Sequence, residues 1–400
     1  MNILFACHRF PFPPNRGGKI RPFHMIQRLS QRHSVTVASV AHSQEELAEG
    51  SGLKQYCDTI LAEVIPDSKR WMQAVATLPG NTPSSVAYFH SGTLQKRVLD
   101  ACRQGHFDLA VVHCAFAAQY IEGVNGVPRV LDFGDLDSGK WLEYSAHRWF
   151  PLSLGYSIEA RKLRRYETQL ASQFNQVTLT TNGEKGEFQT LGVPVPTEVI
   201  PNGVNTSYFQ ARQTQPLDSR VMAFLGRMDY YPNIDGVLFF IEEIFPLVRR
   251  RIPLAQLRII GSNPSRAIRN LAGIPGVTVT GHVPDVRTHL EDAAVGVVPL
   301  RLARGTQNKI LELMAAGIPV VTTATAAKGI QAVAGRDLLV ADQPAEFAQQ
   351  VIEVLEQPEL RSQLAAAGAR QVAAAHAWEP SMARFEEILA RVAAAHGKSQ

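Results

Sequence analysis

Cysteine is scarce in this 400-residue chain, and Cys7, Cys57, Cys102 and Cys114 show no C-x-x-C spacing, which excludes a zinc ribbon and a disulfide framework. Such usage fits a reducing, cytoplasmic compartment. Long apolar runs are lacking as well. No stretch approaches the ~20 residues a membrane-spanning helix needs, and the opening Met1–His8 is too short and too little basic for a secretory leader. Charge of one sign is also missing: 40 Lys and Arg stand against 36 Asp and Glu, a net +4 that leaves no overall nucleic-acid footprint. Repeats are absent, and low complexity is confined to Ala-rich segments near the end. With 45% apolar residues the length can supply two ordinary cores.

What is present is alternation. Strand-like runs at Asn2–Ala6, Ser34–Ser39, Thr59–Val64, Leu109–His113, Arg129–Phe133 and Gln176–Thr180 are interleaved with helices at Lys19–Gln31, Leu94–Cys102 and Ile158–Phe174. A second series has strands at Val221–Leu225, Gln256–Ile260, Val277–Thr280, Val295–Val298, Pro319–Thr323 and Leu338–Val340. Its helices are expected at Asp235–Arg250, Val286–Glu291, Asn308–Ala316, Ala345–Leu355 and Glu359–Ala375, before a last one at Pro380–Ala395. The pattern predicts an α/β fold with two Rossmann-like, doubly wound domains facing each other across a cleft. The turn-forming Ile200-Pro201-Asn202-Gly203 marks the boundary. The expected domains are 1–201 and 202–375, with 376–400 as a C-terminal helix. Ligands in such sheets lie outside the carboxyl ends of the strands.

The most informative segment runs from Arg304 to Val321. Gly305 and Thr306 precede a helix whose surroundings are apolar, yet the helix carries Lys309 and Glu312 on one face. Burying both charges is costly unless they pair or meet a polar ligand. A mutual ion pair is the plainer account. The sharper one places a phosphate at the helix N-terminus near Gly305 and Thr306, with Lys309 facing it and Glu312 accepting sugar hydroxyls.

Other candidates cluster after strands. Gly17-Gly18 opens a helix after the first strand, where backbone N–H groups can approach an anion, although a plain loop explains it equally well. Gly134–Lys140 nearly spells a P-loop, but Trp141 stands where a hydroxyl is required and two aspartates inside would repel phosphate. The same stretch holds Asp135-Leu136-Asp137, a spacing that can hold a divalent ion or simply cap a helix. Asp132, Asp135 and Asp137 are expected to line the cleft, with Asp135 the candidate catalytic or acceptor-binding carboxylate. His113 ends an apolar strand and suits acid/base work or donation to a substrate oxygen, or a structural role. Arg227 follows a strand closed by Gly226 and suits bidentate phosphate binding, with an ion pair to Asp229 as the duller account. Two basic helices, around Lys19, Arg21, Arg28 and Arg32 and around Arg161-Lys162-Leu163-Arg164-Arg165, fit contact with an anionic bilayer; a solvated face is the commoner cause.

Taken together, Val199–Asn205, Phe224–Asn233, Gly281–Arg287, the Arg304–Val321 segment, the helix start at Pro22–Arg32 and Leu131–Ser138 resemble retaining glycosyltransferases of the GT-B fold, family 4 type. More narrowly they resemble the bacterial sugar transferases of PEP-CTERM/exosortase and exopolysaccharide systems. The resemblance covers nearly the whole chain. It implies a nucleotide-diphosphate sugar as co-substrate in the second domain, and a glycan or lipid-linked acceptor in the first. It further implies no metal, no cofactor beyond that co-substrate, and a last helix, including Trp378, that crosses back to the first domain; the charge balance already argues for no nucleic acid. The expected donor contacts are Asn202, Arg227, Val283 (by backbone to the base), Arg304, Gly305, Thr306, Lys309 and Glu312 (to ribose hydroxyls) within the matching motifs, together with Gly17 and Gly18 from their place at a helix start. Asp135, His113, Arg227 and Lys309 are the expected catalytic set. A cytoplasmic enzyme results, with peripheral contact at the inner face of the membrane. Two departures stand out. Arg304 occupies the place of a family Glu that touches sugar hydroxyls, and Pro232 that of a family Lys, whose charge Lys309 can restore. A nucleotide-sugar epimerase of the same architecture and a non-catalytic sugar-nucleotide-binding module remain as rivals.

Overall fold

The computed structural model describes residues 1–212 and 218–397. Short, largely apolar strands, the central ones buried on both faces, favour parallel pairing under helices. The first sheet comprises β1 (Asn2–Cys7), β2 (Ser34–Ala41), β3 (Thr59–Val64), β4 (Leu109–His113), β5 (Arg129–Gly134), β6 (Gln176–Leu179) and β7 (Thr197–Val199), in the order β3-β2-β1-β4-β5-β6-β7. The second comprises β8 (Val221–Leu225), β9 (Gln256–Ile260), β10 (Val277–Val279), β11 (Ala293–Val298), β12 (Val320–Thr322) and β13 (Leu339–Val340), in the order β10-β9-β8-β11-β12-β13. Every pairing in both sheets is parallel. The chain divides into two compact units, Met1–Pro201 together with the chain from Glu379, and Asn202–Trp378. Each sheet has the doubly wound order whose direction reverses between two neighbouring central strands. That reversal falls at β1/β4 in the first unit and at β8/β11 in the second, and the loops leaving those strands are where ligands bind in such folds.

Several expected elements shift. The helix expected over Val286–Glu291 is only a 3-10 turn at Arg287–His289, because the Asp285 side chain takes the Arg287 N–H at 2.9 Å and competes with helix growth. The helix expected at Asp235–Arg250 runs from Tyr231 to Arg251 with a π stretch at Phe240–Ile244, where Pro246 has no N–H to donate. The helix Asp67–Ala76 and strand β7 were not among the expected elements, and Asp137 opens the helix Asp137–Ala146.

Each unit has its own core. Phe224, Val297, Ile310, Leu313 and Phe347 are fully or almost fully buried in the second; Leu4, Val112, Leu131 and Leu163 are in the first.

A candidate donor site and a buried histidine–aspartate cluster

In the second unit, β8 and β11 deliver their loops side by side. The chain leaving β8 is held against that leaving β9 by Gly226 N–H to Ile260 O (3.0 Å) and Met228 N–H to Ser262 O (2.9 Å). A Cβ on Gly261 would lie 1.7 Å from Gly226 O, so only glycine permits this approach. Asn233 donates from Nδ2 to Arg227 O at 2.8 Å, fixing the carbonyl after the strand. The loop after β11 turns through Gly305, with φ of 61°, into the helix Asn308–Ala315. Gly329 lies so close to Gly305 O that a Cβ would sit 2.0 Å from it.

Lys309 rises from the first turn of that helix toward the β8 loop. Its Cε is 3.3 Å from where a Gly226 Cβ would be, and its Nζ is 5.9 Å from the Phe224 ring centroid. The ammonium donates to Gln307 Oε1 at 3.3 Å, and no ion pair among the described residues joins it to Glu312. The plainer account of two charges neutralising each other directly therefore fails. Burial pushes the Lys309 ammonium down to about 8, only partly countered by Glu312; burial pushes the Glu312 carboxyl up, partly countered by Lys309. Thr306 Oγ1 and Asn308 Oδ1 are buried without a protein partner, and the helix start has neither a side-chain cap nor an acidic residue in its first turn. A cation, a bare helix N-terminus and orphaned hydrogen-bonding atoms thus converge on one spot, an arrangement suited to an anion.

The structure brings Arg227, Gly305, Thr306, Lys309 and Glu312 into the loops and helix after β8 and β11, with Arg304 in the same loop. Arg227 Nε donates to Asp229 Oδ1 at 3.0 Å, so the duller ion pair is formed, on half-exposed side chains. Val283 is half-buried in the loop after β10, packed on the core. Asn202 offers its carbonyl to His376 Nδ1 at 3.0 Å, while His376 Nε2 accepts from Gln331 N–H, so this segment is tied to the chain two residues beyond Gly329.

Gly17 and Gly18 lie in the other unit, opening the helix Gly17–Leu29 after β1, with Gly18 against the Arg9 side chain. At the β4 end, His113 is 6% exposed and its Nδ1 is 2.7 Å from Asp132 Oδ2. Burial works to raise the Asp132 carboxyl, but the Arg21 guanidinium bound to both its oxygens (2.6 and 2.9 Å) outweighs that and holds it below the usual carboxylate range. An ionised Asp132 makes Nδ1 of His113 the protonated nitrogen and leaves Nε2 as the lone-pair nitrogen. Asp135 is half-buried and accepts from Thr180 Oγ1 at 2.5 Å.

Two expectations need correction, and the near-P-loop, set aside already on its sequence, is occupied by the chain's own carboxylates. Asp132 does not line an open surface: it is 0% exposed and spent on Arg21, His113 and Thr178. The near-P-loop is no phosphate cradle, because Glu184 Oε2 already accepts from Leu136 N–H (2.8 Å) and Glu167 Oε1 from Ser138 N–H (3.1 Å). The helix carrying Lys19 and Arg21 is no basic docking face: both residues are buried, on Glu46 and Asp132, while Arg28 binds Glu379 and Glu386. The sequence reading missed Arg21 as the partner of Asp132, and Glu167, whose carboxyl burial pushes up to about 8. Among the described residues no three His, Cys, Asp or Glu side chains gather in a way that could hold a metal ion.

Comparisons with known proteins agree with this layout. Residues 16–208 match the model described as Glycosyltransferase Family 4, and residues 219–357 that described as Glycosyl transferases group 1. No curated protein matches by sequence. Sucrose-phosphate synthase from Thermosynechococcus elongatus shares the fold with a TM-score of 0.72 at 17% identity, over 98% of this chain and 99% of that one. Anabaena HepE, solved with UDP, gives 0.69 at 14% identity over 98% and 100%; it has also been solved with UDP-glucose. TarM from S. aureus, solved with Fondaparinux, alpha-GlcNAc-glycerol and UDP, gives 0.57 at 14% identity over 74% and 58%. With glycosyltransferase models matching each half and the two-sheet fold shared along almost the whole length, the chain is a glycosyltransferase of the GT-B fold.

Proposed function

We propose that this enzyme moves a hexosyl group, with retention of anomeric configuration, from a nucleotide-diphosphate sugar to a glycan or lipid-linked acceptor in exopolysaccharide or cell-envelope synthesis. The observation that carries the donor half is Lys309, a half-buried ammonium without a carboxylate partner, set at an uncapped helix start beside orphaned Thr306 and Asn308. The diphosphate would lie there, with Gly305 and Thr306 along it, Arg227 released from Asp229, and Glu312 on the ribose. In the reaction the anomeric carbon–phosphate oxygen bond breaks as the acceptor oxygen bonds the same face. The acceptor proton passes to the departing diphosphate. Lys309, Arg227 and the helix dipole stabilise the charge growing on that leaving group, and no protein nucleophile or metal ion is invoked. His113, with Nε2 free, and Asp135 are assigned to the acceptor or the transferred sugar. Arg304, in place of an acid, would select the donor sugar.

HepE with UDP and UDP-glucose, and TarM with a glycan, support the substrate classes by analogy. A thermal-shift series with UDP-, GDP-, ADP- and dTDP-sugars tests the reading, since a ligand bound only by the folded state raises its apparent stability. One series should stabilise the protein; if none does at millimolar concentration, the donor site is misassigned. Turnover that requires an added acceptor separates a transferase from an epimerase, and any turnover at all from a binding module.

A further inference from the structure

The first unit carries a helix turned inside out. In Asp67–Ala76 the residues facing the protein are Arg70, 0% exposed, and Ala74, while Trp71 (63% exposed), Met72 (67%) and Val75 face solvent. Arg70 can be buried because its guanidinium donates to Ile65 O and Ala41 O, both at 2.7 Å. With Leu78 the exposed positions are spaced by four and three residues, so they form one apolar stripe. A second apolar group stands beside it. Trp149 is 92% exposed and Phe150 78%, and they lead into the helix Leu152–Ala171, which presents Leu152, Leu154 and Ile158. The two groups are joined: Lys162, one turn beyond Ile158, donates to Thr77 O (3.1 Å) and Leu78 O (2.9 Å), and Glu159 caps the Ser84–Tyr88 helix through the Ser84 and Ser85 N–H groups.

Charge decides what fits. The helix Leu152–Ala171 exposes Arg161, Arg164 and Arg165, while its two acids, Glu159 and Glu167, are buried. A second copy of the chain docking face to face would set these arginines against themselves, since a two-fold interface repeats the same patch on both sides. An anionic bilayer meets both features: Trp and Phe settle at the headgroup level, and arginines bind its negative surface. We propose that this surface, built from the Trp71 stripe and the Trp149–Ile158 segment with Arg161, Arg164 and Arg165 behind them, seats the protein on an anionic lipid surface. It rests on the lipid-linked branch of the acceptor reading only for its purpose; the surface stands on its own residues.

Flotation of the full chain with vesicles of phosphatidylcholine containing about one-third phosphatidylglycerol tests it, at low salt and at ~0.5 M salt. The wild type should float at low salt, less at high salt, and less with phosphatidylcholine alone. The W71S/W149S/F150S variant should partition at least roughly tenfold more weakly, with a cooperative melting curve lowered only by loss of the Trp71–Tyr88 edge contact, since all three side chains are mostly exposed. Should the variant fail to fold, quenching of wild-type tryptophan fluorescence by lipids brominated along the acyl chain decides instead: quenching supports insertion, its absence overturns it. No flotation at low salt, equal flotation of both proteins, or a wild-type dimer that the variant turns into a monomer without vesicle binding each overturns the proposal. Donor-induced thermal shifts without vesicles report on the enzyme reading separately.

Discussion

The proposed donor site turns on Lys309, whose burial disfavours its charge. Lys309→Ala should lower turnover more than donor affinity, since charge on the departing diphosphate grows in the transition state. Glu312→Ala should weaken donor binding, each hydroxyl bond to a carboxylate contributing roughly 1.5–3 kcal/mol. Arg304→Glu should change which sugar is accepted without unfolding the chain. Affinity and turnover for the three variants across a donor panel check this, and wild-type behaviour in all of them would remove the helix from the site. The protonation of Lys309 gives a second test. Its free-state value of about 8 means the ammonium is present below that pH and lost above it. Donor affinity should therefore fall as pH rises through 8, with a proton taken up on binding in that range, and Lys309→Arg should carry the affinity to higher pH. A flat profile from pH 7 to 9 in the wild type would rule out a role for the charge.

At the level of elements, the strand ends at β8 and β9 are positioned by backbone contact, with no side chain between them. Gly261→Ala drives a methyl into Gly226 O, so the two loops must part. A loss of about 3 kcal/mol in denaturant unfolding is expected, with weakened donor binding because Arg227 sits on the displaced loop. Stability close to wild type would show that the approach is looser than the backbone indicates. Around Asp137–Ala146, Glu167 gives a pH signature. Its carboxyl, near 8 in the folded state through burial and the neighbouring Asp137, is ordinary in the unfolded chain at about 4.3. Between those values the folded state holds the extra proton, so stability falls as pH rises from about 4.3 to 8. Glu167→Gln should flatten that slope in melts across the range; an unchanged slope would place it on other groups.

For the whole molecule, the reading without a metal predicts turnover that survives excess EDTA; loss on chelation, restored by magnesium or manganese, would move the diphosphate charge onto an ion and away from Arg227 and Lys309. The parallel sheets were legible because a fully buried strand such as Leu109–His113 is an almost continuous apolar run, and the edge strand Thr59–Val64, half-buried, still keeps β-favouring residues; both match the expected bounds residue for residue. Lys309 and Glu312 were legible because charges in an apolar helix are exceptional. The helix Asp67–Ala76 was not, since its apolar face points outward and its buried face is an arginine, the reverse of the pattern that periodicity detects. Nor could spacing reveal that Asp132 is locked to Arg21, 111 residues earlier in the chain. The sequence by itself determined the two α/β halves and the charged helix, because burial periods and local turn chemistry are short-range. Only the tertiary structure decided which charges are spent and which stay available: a guanidinium and a carboxylate neutralise each other by distance in space, and the fold alone sets that distance.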